Sequence, residues 1–291
     1  MPKPLCDTDV FAAATIGEAM LRYQGNSALN QPMLQLVASL AAIQSRAYGM
    51  LGSGLPPGSE RASPPEHAWL TSVIDSVVAA LADQAPNSQG LSEVGQHLAN
   101  LDFEFLMAAA RHEEEAVDRL LTGAAQAGVH CEAATILYVV KTALQPYLAW
   151  RFASLPALGE MSAYPPRRDC PACGGKPMMA KHAHEDGRRY LRCGVCGHEW
   201  PFPRLLCISC EAGDPSSIEV VYSQDDQGRR LYLCAACRRY FKVSDERMLE
   251  GCVYLPLEDI ATVQLDELAR QQGYVPVADS DLQSRGTGSS N

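Results

Sequence analysis

The sequence predicts an α+β protein, with an N-terminal α-helical bundle followed by two tandem four-cysteine modules and a C-terminal helix. Two observations support this fold class. The first 160 residues have helical periodicity and only two of the eleven cysteines, whereas four Cys-x-x-Cys pairs lie between Cys170 and Cys237. With 291 residues, 47% of them apolar, the chain is long enough for about two domains with their own cores.

The helical half is predicted from apolar residues that recur at steps of three and four, which places them on one face of a helix. The four stripes run from Leu36 to Met50, from Leu70 to Leu81, from Leu91 to Phe105 and from Ile136 to Tyr147. Residues 52–65, residues 83–90 and the glycines near 123–128 are rich in helix-stopping residues. These segments therefore predict the breaks between helices.

The second half is predicted to contain a duplicated β unit. Composition shifts to proline, glycine and arginine over residues 155–169, as at a domain boundary. The runs RRYLRC (188–193) and RRLYLC (229–234) alternate like strands, and each leads into the second cysteine pair of a set. RRYFKV (238–243) predicts a further strand, and the apolar residues from Leu257 to Leu268 predict a closing helix.

Domain boundaries follow from these patterns. We expect a helical domain over 1–163, a first metal module over 164–202 and a second over 203–245. A C-terminal helical segment over 246–278 and a disordered tail over 279–291 complete the chain, since the tail is polar and rich in small residues.

The eight paired cysteines predict two metal sites. A Cys-x-x-Cys turn brings two thiolates close together, and two such turns complete a tetrahedron around a soft metal ion. The pairs are separated by 19 residues in the first set and 23 in the second, which suits a hairpin. Short loops favour the sequential assignment over a crossed one, and a metal-free dithiol relay is the other alternative. The sequential ligand sets are Cys170, Cys173, Cys193 and Cys196, and Cys207, Cys210, Cys234 and Cys237.

The residue that follows each cysteine pair affects how easily the backbone forms the metal-binding turn. Gly174 and Gly197 follow the two pairs of the first set, where a backbone with positive φ can turn its amides toward the sulfurs. Glu211 and Arg238 occupy these places in the second set. We therefore expect less ideal turns there.

Other candidate ligands have simpler interpretations. His182, His184 and His198 could replace a thiolate, but eight cysteines already fill two tetrahedra, so solvent-facing histidines are expected. The acidic run RHEEEAVDR (111–119) is interpreted as a solvated helix face, because consecutive residues point in different directions. His130 and the adjacent Cys131 are a similarly weak candidate for a metal site. The unpaired Cys6, Cys131 and Cys252 are expected to be small buried or incidental thiols.

Charge argues against a protein that binds nucleic acid over its whole surface, since the net charge is −10 and the pI about 5.2. Residues 165–242 carry 13 Lys or Arg and 9 Asp or Glu, a surplus that two tetrathiolate centres would cancel. Within the arginine doublets, Arg188, Arg189, Arg238 and Arg239 are candidate contacts for an acidic partner surface. No leader peptide and no apolar stretch of about 18 residues is evident, so we expect a cytoplasmic protein without membrane insertion.

The order of motifs resembles the formate dehydrogenase accessory protein (FdhE) family. The resemblance covers residues 170–276 and lies in CPACG, YLRC, CGHEW, CISCE, CAACRRYFK and the closing helix that ends in Gly-Tyr. It implies a cytoplasmic maturation factor that acts on the catalytic subunit of a molybdenum-dependent formate dehydrogenase. It also implies rubredoxin-like metal centres with iron as the favoured ion, while tetrahedral thiolate chemistry leaves zinc as the alternative.

Three functions remain open at this point. The first is a binding and maturation protein with no catalytic residues, in which the metal modules rigidify loops and the helical half offers a surface to the partner. The second is a rubredoxin-like redox protein that transfers electrons to the partner. The third is a nucleic-acid-binding zinc-ribbon protein. The sequence has no Ser/His/Asp arrangement, phosphate-binding glycine loop or open metal site that would indicate an enzyme.

Overall fold

A computed structural model describes residues 19–20, 23, 31–52, 65–84, 90–152, 166–249 and 253–278. The chain divides into two compact units after Leu155, with residues 195–197 grouped with the first unit. Within the described ranges, no helix combines the length and the apolar character needed to cross a membrane. The breaks predicted at 52–65 and 83–90 lie largely outside these ranges, as do Cys6, Cys252 and the tail.

The first unit is helical. Its helices are α1 (Gln31–Met50), α2 (His67–Gln84), α3 (Leu91–Ala99), α4 (Phe103–Ala110), α5 (Glu114–Gln126) and α6 (Ala133–Phe152). Helix α6 packs against α1, α2 and α4, and its buried residues lie on several faces. A helix that is apolar on most sides belongs in a core, so α6 is the centre of this unit.

Two predicted helical stripes differ from the structure. In the stripe from Leu36 to Met50, Leu40, Ile43 and Ala47 are buried as predicted, but Leu36 is only half-buried and Met50 is 71% exposed. The stripe from Leu91 to Phe105 is divided between α3 and α4. Asp102 causes the division, since its side chain accepts hydrogen bonds from two backbone N–H groups of the first turn of α4.

Polar contacts fix the register of the helices. The Gln44 amide of α1 donates to the carbonyl oxygen of Thr142 at 3.2 Å and to Oε1 of Gln145 at 2.7 Å, both on α6. The indole N–H of Trp69 on α2 donates to the carbonyl oxygen of Ala47 on α1. Buried polar atoms are costly unless they are hydrogen-bonded, so these bonds select one arrangement of the apolar faces.

The second unit is built on one sheet, which contains seven strands among the described residues. They are β1 (Pro177–His182), β2 (Arg189–Cys193), β3 (Glu199–Pro201), β4 (Ile218–Val221), β5 (Arg229–Cys234), β6 (Arg239–Asp245) and β7 (Val275–Pro276). The spatial order is β3-β2-β1-β6-β5-β4, and β7 pairs with β6. The three predicted strands are confirmed as β2, β5 and β6.

The sheet consists of two copies of one arrangement, as the duplicated sequence predicts. In each copy three consecutive strands are antiparallel, β1 to β3 in the first and β4 to β6 in the second. The copies join where β1 pairs with β6 in parallel. The two modules therefore lie side by side in the same orientation within one continuous sheet.

Two short helices cover one side of the sheet. Helix α7 spans Leu255–Ala261 and helix α8 spans Val263–Gln271. Residues of α8 and the following turn, including Ala269 and Tyr274, pack on Leu231, Leu233 and Tyr240. A single closing helix was predicted, but Thr262 interrupts it with non-helical backbone angles, and its hydroxyl donates to the carbonyl oxygen of Glu258.

Candidate metal centres

Each cysteine pair lies on a tight turn, and all four turns share one backbone conformation. The residue after the second cysteine has a positive φ in every case: 77° at Gly174, 75° at Gly197, 57° at Glu211 and 58° at Arg238. The N–H group of this residue donates to the carbonyl oxygen of the first cysteine in three of the turns, at 2.9 to 3.0 Å. We expected less ideal turns in the second set, but their backbone conformation is the same as in the first set. Glu211 and Arg238 adopt it in a region of backbone angles that favours glycine.

Contacts of these two side chains offset the cost of that conformation. The guanidinium of Arg238 lies 4.0 Å from the ring centroid of Tyr274 and donates to the carbonyl oxygen of Gln272 at 2.5 Å. Glu211 forms an ion pair with Arg168 at 3.2 Å, and Arg168 also donates to the carbonyl oxygen of Ser209. The second set thus keeps the turn geometry with the help of neighbouring residues.

The turns bring the eight cysteines together in two groups that match the sequential assignment. Within each group the four sulfur atoms lie within 4.8 Å of one another, and no other such group of His, Cys, Asp or Glu occurs among the described residues. The first group comprises Cys170, Cys173, Cys193 and Cys196, and the second comprises Cys207, Cys210, Cys234 and Cys237. The crossed arrangement does not occur.

The sulfur spacing fits a tetrahedral metal ion. Sγ atoms are 3.5 Å apart between Cys173 and Cys193, and 3.7 and 3.8 Å apart in two pairs of the second group. A tetrahedron with metal–sulfur bonds of 2.3 Å has an edge of about 3.8 Å. A disulfide bond is far shorter, at about 2.05 Å. The donor set and its spacing therefore suit a thiolate-bound ion such as zinc or iron.

Backbone N–H groups are directed at the sulfurs. Gly175 donates to Sγ of Cys173 and Ser209 donates to Sγ of Cys207, both at 3.4 Å. Burial raises the pKa of the Cys207 thiol, whereas backbone N–H groups and neighbouring thiols outweigh burial at Cys234 and lower its pKa. Four sulfurs this close repel one another as thiolates, so a cation is needed to hold all four deprotonated.

The two groups differ in exposure. All four cysteines of the first group are buried, with at most 8% of their surface exposed. In the second group Cys207 and Cys234 are buried, Cys237 is half-buried and Cys210 is exposed. Cys210 is thus the most exposed residue of either group.

Both groups lie at the same end of the sheet. Cys193 on β2 pairs with Pro177 of β1, and Cys234 on β5 pairs with Arg239 of β6. The parallel register of β1 and β6 places Pro177 and Arg239 within about one residue of the same level. Cys193 and Cys234 are three strand positions apart, which corresponds to roughly 14 Å.

The histidines near the cysteines join neither group. His184 is exposed and His198 is half-buried. His182 was predicted to face solvent, but it is fully buried at the end of β1, where its Nδ1 lies 3.4 Å from Oδ2 of Asp245. The acidic run at 111–119 is confirmed as a solvated face, since Glu113, Glu114 and Glu115 are exposed. His130 is exposed and Cys131 is half-buried, outside both groups.

The candidate partner-binding arginines fall into two classes. Arg188 and Arg238 are exposed and Arg239 is half-buried, so they remain predictions. Arg189 is only 1% exposed, and its predicted role as a surface contact does not fit the structure. Sequence reasoning missed this buried position, although Arg189 alternates with Leu191 and Cys193, which is the pattern of one strand face.

Comparison with known proteins identifies relatives of the chain. A family model described as "FdhE, central domain" matches residues 169–204. An FdhE homologue from Aquifex aeolicus is 34% identical over 111 residues, a match that covers 37% of this chain and 39% of the relative. A homologue from Edwardsiella ictaluri is 26% identical over 93% of this chain and 80% of the relative. FdhE of Escherichia coli O127:H6 is 30% identical over 45% of this chain and 43% of that protein.

The fold also matches a solved structure. The crystal structure of the FdhE protein from Pseudomonas aeruginosa aligns with 94% of this chain and 95% of that one, with a TM-score of 0.63 and 21% sequence identity. The family model covers the turns of the first four-cysteine group, and the longer matches extend over most of the chain. These matches show that the chain is similar to FdhE proteins in sequence around the first four-cysteine group and in fold over most of its length.

Proposed function

We propose that this chain is a cytoplasmic accessory protein required for the maturation of a formate dehydrogenase, and that it binds the catalytic subunit of that enzyme. The proposal rests on one observation, the pair of closed four-cysteine groups held at one end of one sheet in a chain that is similar to FdhE proteins. Four protein sulfurs fill a tetrahedral coordination shell and leave no position for substrate or activated water. This arrangement supports a binding role rather than catalysis at the metal.

The helical unit and the metal modules would have different roles in this function. The helical unit offers a surface to the catalytic subunit, and the metal modules fix loops that a small β core could not hold alone. Arg188, Arg238 and Arg239 would steer an acidic surface of the subunit toward the modules. Iron is the ion that the family resemblance favours, with zinc as the alternative.

A redox role is the second candidate, and the exposure of Cys210 favours it. An iron ion held by four thiolates can accept one electron and pass from the ferric to the ferrous state. An exposed ligand residue at the second group would bring that ion within reach of an electron donor or of the partner. The two candidates share the same partner and differ in whether the metal changes its oxidation state.

The test is a deletion strain complemented with variants of this chain. Formate oxidation should disappear on deletion while the catalytic polypeptide persists, and the wild-type chain should restore activity and co-purify with the subunit. Cys207→Ser with Cys210→Ser should fail to restore activity. Cys131→Ser, which alters a half-buried cysteine outside both groups, should succeed.

The outcomes separate the alternatives. Normal formate oxidation without this chain, in a strain with no substitute, would disprove the maturation role. An iron–thiolate absorption band in the purified complex that bleaches on addition of dithionite would favour the redox candidate. A colourless, zinc-containing complex that restores activity would favour the binding role alone.

A further inference from the structure

Arg189 is a buried cation without an acidic partner. Only 1% of its surface is exposed. Arg189 takes part in none of the ion pairs found among the described residues, and no carboxylate is among the charges that shift its pKa. Its Nε and Nη1 atoms are buried and lack hydrogen-bond partners. A buried charge costs several kcal/mol unless an opposite charge or hydrogen bonds compensate it. The position of Arg189 in the core therefore calls for a compensating negative charge.

The contacts of Arg189 connect the first module to the second. Arg189 lies on β2 of the first module, and its Nη2 atom donates to the carbonyl oxygens of Pro203 and Leu206, the latter at 2.6 Å. Leu206 directly precedes Cys207, the first cysteine of the second group. The guanidinium also lies 5.2 and 5.1 Å from the ring centroids of Phe202 and Phe241, which exclude water from it.

The charges around Arg189 identify the missing counter-charge. Burial, with a smaller contribution from Arg204, lowers the pKa of Arg189 to about 10, although Tyr232 and Cys207 act in the opposite direction. The guanidinium therefore stays protonated at neutral pH. The thiolates of the second group supply the only strong negative charge in this set, because four thiolates around a divalent ion carry a net charge of −2.

We propose that Arg189 is the buried counter-charge of the second four-cysteine group and positions the loop that carries Cys207. Metal binding by the second module then depends on a strand of the first module. This inference rests on the proposed binding of metal by both groups. It explains why the second arginine of an otherwise exposed doublet lies in the core, and why its side chain spans the junction between the modules.

The test compares cobalt(II) affinities of the full-length chain by chelator competition. Arg189→Met should weaken one of the two metal equivalents by about 10- to 100-fold, the range typical of residues that support metal ligands. The other equivalent should keep its affinity. Arg188→Met is the matched control, because the adjacent arginine is exposed and pairs with Asp186, and it should change neither equivalent.

Cysteine variants assign the affected equivalent. In a chain that carries Cys170→Ser and Cys173→Ser, Arg189→Met should still weaken the remaining metal. In a chain that carries Cys207→Ser and Cys210→Ser, the remaining metal should not respond to Arg189→Met. The reverse pattern, or equal weakening of both equivalents, would overturn the proposal.

The Arg189→Lys variant tests whether the positive charge of Arg189 or its hydrogen bonds to the loop support metal binding. Lysine keeps the positive charge but lacks the planar fork that donates from several N–H groups. The counter-charge role predicts that Lys retains the affinity of the second group within a few fold. An affinity as low as that of Arg189→Met would show that Arg189 only braces the loop. If Arg189→Met does not fold, the Lys variant alone tests the counter-charge role. Retention of the affinity of the second group within a few fold supports it, and a larger loss overturns it.

Discussion

A buried histidine gives the fold a titratable group outside the metal groups. Burial lowers the pKa of His182 to about 4, and the positive charge of Arg204 contributes, although Asp245 acts in the opposite direction. Asp245 is itself fully buried, with Arg230 at 3.1 Å and Arg247 at 2.7 Å. The imidazole is therefore neutral in the folded protein at neutral pH.

The pKa of His182 predicts a loss of stability on mild acidification. Below the ordinary histidine pKa of about 6.5 the unfolded chain takes up a proton that the folded chain does not bind until about pH 4. The free energy of unfolding should thus fall as the pH drops through this window, by an amount of order 3 kcal/mol. His182→Gln should flatten the fall, and chemical denaturation at stepped pH values measures it.

The control for this prediction is His184→Gln, which removes an exposed histidine of the same segment. Protonation of the thiolates also destabilises the metal-bound protein at low pH. This contribution is the same in the wild type, His182→Gln and His184→Gln, so it cancels when their free energies of unfolding are compared. Equal slopes for the wild type and His182→Gln between pH 6.5 and 4 would refute the assignment.

Among the structural elements, the cysteine turn has the most specific backbone requirement. Each of the four turns places the residue after the second cysteine in the left-handed region. The first module uses glycine there, whereas the second uses Glu211 and Arg238 and supports them through Arg168 and Tyr274. The same geometry is thus reached with different side chains.

This difference predicts the effect of a side chain at Gly174. An alanine at φ 77° costs about 1 kcal/mol relative to glycine. Gly174→Ala should therefore weaken metal binding by the first group about 5-fold, which corresponds to that energy, and leave the second group unchanged. Chelator competition measures both affinities.

A helical glycine provides the matched comparison. Gly123→Ala adds a methyl group on α5 at 3.6 Å from the nearest side-chain atom, without a positive φ, and should leave both metal affinities unchanged. Native affinity of both groups in Gly174→Ala would show that the left-handed conformation of this turn carries no penalty.

At the scale of the whole molecule, local patterns in the sequence predict the elements better than their assembly. The alternation in RRYLRC and RRLYLC and the spacing of the cysteine pairs are short-range signals, and they predict β2, β5 and both four-cysteine groups. The parallel pairing of β1 with β6 joins residues more than 60 positions apart. No short-range pattern encodes it, because both modules have similar strands.

The remaining differences come from single polar residues that compete with an apolar pattern. Asp102 caps α4 and divides a continuous apolar stripe, and Thr262 divides the closing helix. Arg189 and His182 are buried through contacts with distant segments of the chain, although arginine and histidine are usually found at the surface. Such residues are explained by tertiary contacts rather than by their sequence neighbours.

The two four-cysteine groups of the sheet are expected to hold two metal ions in this chain, one in each group. Elemental analysis of the natively expressed protein tests this expectation most directly. We predict two metal equivalents per chain for the wild type, one for Cys170→Ser with Cys173→Ser, and one for Cys207→Ser with Cys210→Ser. A single equivalent in the wild type, or the loss of both equivalents from either double variant while the helical unit stays folded, would show that the two groups are not independent metal sites.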